Sequence, residues 1–372
     1  MANFFSTISK LFKKESDNSV VGVDVGSSSV KIVQLRNEQG RVILETYGEI
    51  ALGPYKQLSI GQAVQLPSEQ IADAIKTVFA ESNVTTKQVA LSIPLRSSLL
   101  TLIEVPEVDK DKIDQVVQFE ARKYIPVPIS EVILDWWVIP KHEFEEGQTS
   151  SFARPIYEQK SKMLEVLITA ILKSVVANYD EIVQDAGLVS SPFELETFSG
   201  VRSIIGGDVN AVAMMDMGAT STRLVIIDMG VARSTHTINK GAQDITFALS
   251  KSLGISFAEA EEAKRRLGAI GKAEGGELFN IVNPTLEYIF FEANKILTNY
   301  QKKYSRNIGK VFLIGGGALL KGLPELATKN MGIPVEIGNP FNKVEAPAFL
   351  GPVMKEAGPI FANALGLALK RL

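Results

Sequence analysis

Two segments of this chain carry residue types suited to holding phosphate. Val21-Gly22-Val23-Asp24-Val25-Gly26-Ser27-Ser28-Ser29-Val30-Lys31 reads as an apolar strand, an Asp-x-Gly, a turn of small hydroxyl residues, and a second strand opened by a basic residue. Ala213-Met214-Met215-Asp216-Met217-Gly218-Ala219-Thr220-Ser221-Thr222-Arg223 repeats that pattern. A hairpin turn built of Gly and Ser presents backbone N–H groups and hydroxyls without bulky side chains, and such concave N–H clusters bind phosphate oxygens. Asp24 and Asp216 stand at the strand ends just before the turns. One carboxylate from each could hold a hydrated Mg2+ against a polyphosphate, the coordination style that ion prefers. A single Asp-x-Gly-x-Ser is an ordinary turn; two copies in the same setting point to phosphate binding.

A third glycine element is Val311-Phe312-Leu313-Ile314-Gly315-Gly316-Gly317-Ala318-Leu319-Leu320, read as a buried strand, three glycines and a helix through Leu326. Glycine lets a ligand approach the backbone closely, and a helix N-terminus favours anions. No Gly-Lys-Ser/Thr follows, so this is not a P-loop, and the glycine spacing does not match the dinucleotide fingerprint.

The elements that must position these residues also repeat. A third strand follows each hairpin, Arg41 to Ile50 and Val231 to Ile238, and then a helix, Ser68 to Glu81 and Asp244 to Leu253. Each half reads β-β-β-α, which predicts two similar α/β domains facing each other. The repeat is far too long for a solenoid. Between the first helix and the second Asp-x-Gly lies an insertion of roughly 87–162, with strands Gln88 to Ile93, Ser98 to Glu104 and Ile133 to Ile139 and a helix Lys110 to Lys123. Its Tyr124-Ile125-Pro126-Val127-Pro128 edge suggests a groove for an extended peptide, and Trp136 and Trp137 alternate across a strand, so one should face out. The end of the chain, Ala357 to Leu372, reads as one closing helix.

Composition narrows the chemistry. The 372 residues suggest two or three domains at ~150 residues each. Cysteine is absent, which excludes disulfides, thiolate metal sites and cysteine nucleophiles. Histidine occurs only as His142 and His236, a poor basis for a multi-histidine metal site or a serine–histidine hydrolase. The 42 acidic and 39 basic residues leave a net charge of −3, without the basic surplus of a nucleic-acid binder. The longest stretch free of Asp, Glu, Lys and Arg, Ala357 to Leu369, falls short of the ~20 apolar residues of a spanning helix. The N-terminus has no signal-peptide pattern. On a helical wheel Phe4, Phe5, Ile8, Leu11 and Phe12 share one face while Lys10, Lys13 and Lys14 fall on the other, the pattern of a short interfacial helix.

Together, two Asp-x-Gly hairpins and a strand–Gly-Gly-Gly–helix resemble the actin, heat-shock-70 and sugar-kinase superfamily. Gly241-Ala242-Gln243-Asp244-Ile245-Thr246 and Ser256-Phe257-Ala258-Glu259-Ala260-Glu261-Glu262-Ala263-Lys264 resemble the second-domain signature of the FtsA and PilM families. Phe119-Glu120-Ala121-Arg122-Lys123-Tyr124-Ile125-Pro126-Val127-Pro128-Ile129 and Asp135-Trp136-Trp137-Val138 are similar to PilM in particular. The resemblance implies an α/β, actin-like (ribonuclease H-like) two-domain ATPase fold with an inserted FtsA-type 1C subdomain. Residues 1–18 would form the tail, 19–86 with 163–200 and 346–372 subdomain 1A, 87–162 subdomain 1C, and 201–345 the second domain (2A/2B).

The resemblance also implies cofactors and roles. ATP would lie between Gly26, Ser27, Ser28, Ser29 and Lys31 on one side and Gly218, Ala219, Thr220, Ser221 and Gly241 on the other. Asp24 and Asp216 would hold Mg2+, and Glu261, Lys264, Gly315, Gly316 and Gly317 would flank the adenosine. Glu194 and Glu196 are the candidates for positioning a water. The family usually has an aspartate where Glu194 stands, and the extra methylene displaces a carboxylate by about 1.5 Å, so slow turnover at best is expected. The implied role is that of a cytoplasmic scaffold at the inner-membrane platform of a type IV pilus or related secretion machine. It would bind the N-terminal peptide of a PilN-like membrane protein; other pilus motor or platform proteins, peripheral membrane contact and self-association are further expected partners, and nucleic acid is not. The alternatives are an FtsA-like filament-forming division protein and a sugar or acetate kinase of the same superfamily. FtsA relatives usually end in a linker and an amphipathic helix, whereas the amphipathic segment here is N-terminal. A kinase needs a strong acid or base in its first domain, and none stands out.

Overall fold

The computed structural model describes residues 18–109, 111–139, 163–206, 210–268 and 276–372. The basic amphipathic segment Phe4 to Lys14 lies outside them. Strands β1 (Ser19–Val25), β2 (Ser29–Glu38) and β3 (Arg41–Ala51) form an antiparallel meander. Helix α1 (Ser68–Glu81) buries Ala72, Ala74, Ile75 and Val78, and β4 (Gln88–Ile93) then runs parallel to β1. The chain leaves this sheet for β5 (Ser98–Pro106), α2 (Ile113–Ala121), β6 (Val132–Val138) and β7 (Met163–Leu172), with β7 antiparallel to both β5 and β6. After α3 (Lys173–Asp185), two short strands, β8 (Val189–Ser190) and β9 (Glu194–Leu195), pair parallel with β4.

Helix α4 (Glu196–Ile204) leads into the second meander, β10 (Val212–Met217), β11 (Thr222–Asp228) and β12 (Val231–Ile238). Three helices follow, α5 (Ala242–Leu253), α6 (Phe257–Leu267) and α7 (Glu277–Tyr304). Then come β13 (Val311–Ile314), parallel to β10, α8 (Leu323–Met331), and β14 (Val335–Ile337), parallel to β13. The described chain closes with α9 (Gly351–Ala357) and α10 (Ala362–Leu369).

The two large sheets have the same design. One runs β3-β2-β1-β4-β8 and the other β12-β11-β10-β13-β14, so the sequence repeat extends past the hairpins to the parallel strands. Every residue of β1 and of β10 is buried, as expected for strands covered on both faces. The first core packs Val23, Ile32 and Leu91 against Ile75 of α1 and Ile182 of α3. The second packs Met215, Leu224 and Ile226 against Leu286, Ile289 and Phe290 of α7. The small sheet β5-β7-β6 has its own core of Ile103, Val117, Ala121, Val166 and Ile168.

Four expectations are corrected. The insertion does not run 87–162 by sheet membership. β4 is a central strand of the first sheet, with five of its six residues buried, and β7 belongs to the small sheet. The return to the first half begins before residue 346: Phe341 is buried with Val20 and Val33, and Glu345 exchanges backbone hydrogen bonds with Val42 and Leu44. The glycine run opens a 3-10 turn, Gly316–Leu319, and α8 starts only at Leu323. Within Ala357 to Leu372 the closing helix, α10, likewise starts only at Ala362, after a 3-10 turn at Gly358–Phe361 with Pro359 inside it.

Candidate functional site

The two hairpins are held in matching ways. Asp24 faces Lys31 across β1–β2, and Asp216 faces Arg223 across β10–β11. The Gly26 N–H donates to Ser29 O at 3.0 Å, and the Gly218 N–H to Ser221 O at 3.0 Å. The turn carbonyls are taken from behind. Ser27 O accepts from Val64 N–H and Ser28 O from Leu52 N–H, while Gly218 O and Ala219 O accept from the N–H groups of Ala242 and Gln243. Among the described residues the amides of Ser27, Ser28, Ala219 and Thr220 make no backbone hydrogen bond. Two preorganised N–H concavities result, the arrangement that suits phosphate.

Between the sheets lies a cavity of about 640 Å3, within the usual size range of ligand pockets. Every predicted site residue lines it except Gly241 and Glu194. Gly241 instead packs behind the second turn, where a Cβ would collide with Ala219 O, and its N–H donates to Asp244 Oδ2 at 2.9 Å. Its role is to let α5 reach the turn. Glu194 lies away from the cavity, in a bidentate pair with Arg202 at 2.6 and 2.8 Å and 3.2 Å from the Lys370 ammonium. Arg202 also donates to Gly366 O, so Glu194 fastens α4 to α10. It is not placed to orient a water in the cavity.

The floor of the cavity gathers charge from both halves. Asp24, Glu196 and Asp216 are buried there. The Ser92 hydroxyl donates to Asp24 Oδ1 at 3.0 Å, and the Leu95 N–H to Glu196 Oε1 at 2.7 Å. Arg223 bridges the halves: its Nη1 donates to Glu196 Oε1 and its Nη2 to Asp216 Oδ2 at 2.5 Å. Burial pushes the Asp24 carboxyl above the ordinary range, against the pull of Lys31. Burial does the same to Glu196, opposed by Arg223. Burial works against the Arg223 charge as well, but Glu196 and Asp216 outweigh it and hold the guanidinium firmly protonated.

The opposite end is formed by α6. Lys264 Nζ donates to Glu261 Oε2 at 2.6 Å, Thr246 Oγ1 at 2.9 Å and Ala242 O at 3.2 Å, and burial lowers its pKa. Burial would raise Glu261, but Lys264, Thr246 and Arg265 hold its carboxyl below the usual range. Of the three glycines only Gly316 has room for a Cβ. Gly315 has φ +83°, and a Cβ there would strike Asp216 Oδ1; one on Gly317 would lie 2.7 Å from Met217 Cβ. Those two glycines serve the close approach of β10.

A Mg2+ ligated directly by both Asp24 and Asp216, without intervening water, does not fit this arrangement. Asp216 Oδ2 already accepts from Arg223 and, at 3.3 Å, from Asn363 Nδ2, while its Oδ1 abuts Gly315. Among the described residues no group of three or more His, Cys, Asp or Glu is placed to hold a metal ion. The residue missed from sequence is Arg223. Its signal was present, since it occupies the position of Lys31 in the repeated hairpin. Ser92, Arg265 and Asn363 carried no local signal.

The family profile described as "Type IV pilus assembly protein PilM" matches residues 22–372. Among solved structures the fold is similar to a chain of the PilM–PilN type IV pilus biogenesis complex, with a TM-score of 0.78 and 25% identity over 95% of this chain and 98% of that one. The ethanolamine utilization protein EutJ from Carboxydothermus hydrogenoformans shares the fold at a TM-score of 0.55 and 16% identity, over 94% of this chain and 89% of that one. The cell division protein FtsA of Streptococcus pneumoniae is 23% identical over 85% of this chain and 74% of its own length. FtsA of Borreliella burgdorferi is 25% identical over 95% and 91%. The architecture is thus the actin-like two-domain fold. With the profile running from β1 to the last residue, the chain belongs to the PilM family of type IV pilus assembly proteins.

Proposed function

We propose that this protein is an ATP-binding scaffold of a pilus or related secretion platform, and that nucleotide in the cleft sets how it presents itself to a PilN-like membrane-protein tail. The observation that carries the nucleotide reading is the pair of matched N–H concavities on opposite walls of one cavity. Ser27 and Ser28 from one half and Ala219 and Thr220 from the other would cradle the phosphates, with Lys31 and Arg223 as fixed cations beside them. Gly316 would border the adenosine, with Glu261 and Lys264 at its sugar. Glu196, the water-orienting candidate that does line the cavity, has its Oε1 tied to Arg223 and the Leu95 N–H, and turnover is expected to be slow. Binding across a cleft draws two domains together, a hinge transition.

The partner reading rests on likeness to the PilM–PilN complex and on the small-sheet subdomain, where Phe119, Tyr124 and Ile133 are exposed. Such apolar side chains gathered on one subdomain suit a peptide with apolar anchors. The FtsA likeness favours a second reading, a filament-forming protein, which ATP-dependent sedimentation would reveal. The test of the main reading joins ATP titration with capture of a synthetic PilN-type tail. We expect micromolar-range ATP binding, turnover far below the ~10 s⁻¹ typical of enzymes, and tail capture that changes with ATP. No ATP binding, or phosphorylation of a sugar or acetate at enzyme rates, would sink it.

A further inference from the structure

We propose that Arg223 supplies, from inside the protein, the positive charge that a divalent cation would otherwise bring to the cleft floor, so that nucleotide binding depends little on Mg2+. The inference rests on the nucleotide reading above. Three buried carboxylates converge at the floor, and buried carboxylates persist there only when paired. The guanidinium takes one from each half, Glu196 and Asp216. This fork also occupies Asp216 Oδ2, one of the oxygens through which an ion could be held by both halves.

Arg223 is not used up by these contacts. A guanidinium has five N–H donors in a rigid fork. Its side chain retains 18% exposure and lines the cavity, so donors remain for a phosphate oxygen. Lys31, at the matching position of the first hairpin, donates to Ser29 Oγ at 2.6 Å and also lines the cavity. The walls therefore present two fixed cations beside four open amides. Asp24 and Glu196 each keep one oxygen outside the hydrogen bonds of the described residues, since Ser92 engages only Asp24 Oδ1 and both Leu95 and Arg223 engage Glu196 Oε1. Without Arg223, Glu196 and Asp216 would face incoming phosphates unpaired, and only Lys31, beside Asp24, would remain as a counter-charge. A site indifferent to Mg2+ would become one that requires it.

The experiment is ATP binding by calorimetry on the full chain, in Mg2+ and in EDTA, for wild type, Arg223→Gln and Arg223→Lys. Wild type is expected to keep its affinity within roughly threefold on removal of Mg2+. Arg223→Gln should lose roughly tenfold to a hundredfold in EDTA and recover in Mg2+. Arg223→Lys, which keeps the charge without the fork, should fall between. A wild-type loss beyond roughly tenfold in EDTA overturns the inference, and so does a Gln variant that tracks wild type in both buffers. If the Gln variant does not fold, the wild-type comparison decides alone. Failure of wild type to bind ATP in either buffer is a different result, and it removes the nucleotide reading itself.

Discussion

Glu261 shows how much of the cleft depends on single charges. It accepts from Thr246, Lys264 and Arg265, and it shields a Lys264 ammonium whose pKa burial lowers. Its own carboxyl is held below the usual range although burial opposes this, so the unfolded chain binds its proton at higher pH than the native one. Stability from this group is therefore present above the ordinary glutamate range and is lost as pH falls through the folded value. Glu261→Gln is expected to cost about 1–3 kcal/mol at neutral pH, because it leaves a buried cation without its charged partner. That gap should close in acid, where wild-type Glu261 is protonated too. Urea unfolding of both proteins at the two pH extremes checks this; an equal gap at both would show that the carboxylate's charge is irrelevant.

The same scale shows what sequence can and cannot disclose. The hairpin residues were legible because a Gly-Ser turn does its work locally. Glu261 and Lys264 emerged only through family resemblance, since their spacing also fits a surface pair. Glu194 and Glu196 looked interchangeable. The chain passes from β9 into α4 between them, and that change of direction sends one carboxylate to Arg202 and the other to Arg223. Arg223 was visible as a repeated basic position, but its partners come from distant elements.

At the level of elements, α10 joins the halves. Its residues Ala362 to Ala368 are buried, and its two faces meet backbone directly. A Cβ on Gly22 of β1 would strike Ala364 O, and one on Gly366 would strike Ser199 O of α4. Asn363 from the same helix reaches Asp216 at the floor. Gly366→Val should therefore push α10 off α4 and cost about 1–3 kcal/mol through overpacking. Because α10 carries Asn363, ATP affinity should fall with it. Denaturation midpoints together with ATP titration test the point: lost stability with unchanged affinity would mean that α10 does not position the floor. The apolar run of α10 was readable, but its glycine contacts were not, because they depend on which backbone lies opposite. The misplacing of β4 has a similar cause. A short apolar strand looks the same whichever sheet it joins, and only its parallel pairing with β1 assigns it.

For the whole molecule, the question is how cleft state could reach the small-sheet subdomain. That subdomain meets the second half where β5 runs beside β12 and α7, around a groove lined by Leu100, Thr101, Arg233 and Tyr300. The charged link there is Arg233 Nη1 to Glu165 Oε2 of β7, at 2.8 Å, with Arg233 almost wholly buried. Arg233 sits on β12, next to the β10–β11 hairpin that carries Asp216, so hinge closure driven at the floor would move it with the second sheet. If tail binding responds to nucleotide, this contact should carry part of the response. Couplings between sites typically amount to about 1–3 kcal/mol, or roughly 5- to 150-fold in affinity. In Glu165→Gln the ratio of tail affinities with and without ATP should shrink to about twofold or less, against a clear ratio in wild type. ATP affinity measured without the tail should stay unchanged, because Glu165 is remote from the cleft lining. A wild-type ratio preserved in the variant would mean that the signal crosses elsewhere, by α10 and the first sheet, and Gly366→Val would then be the variant that breaks it.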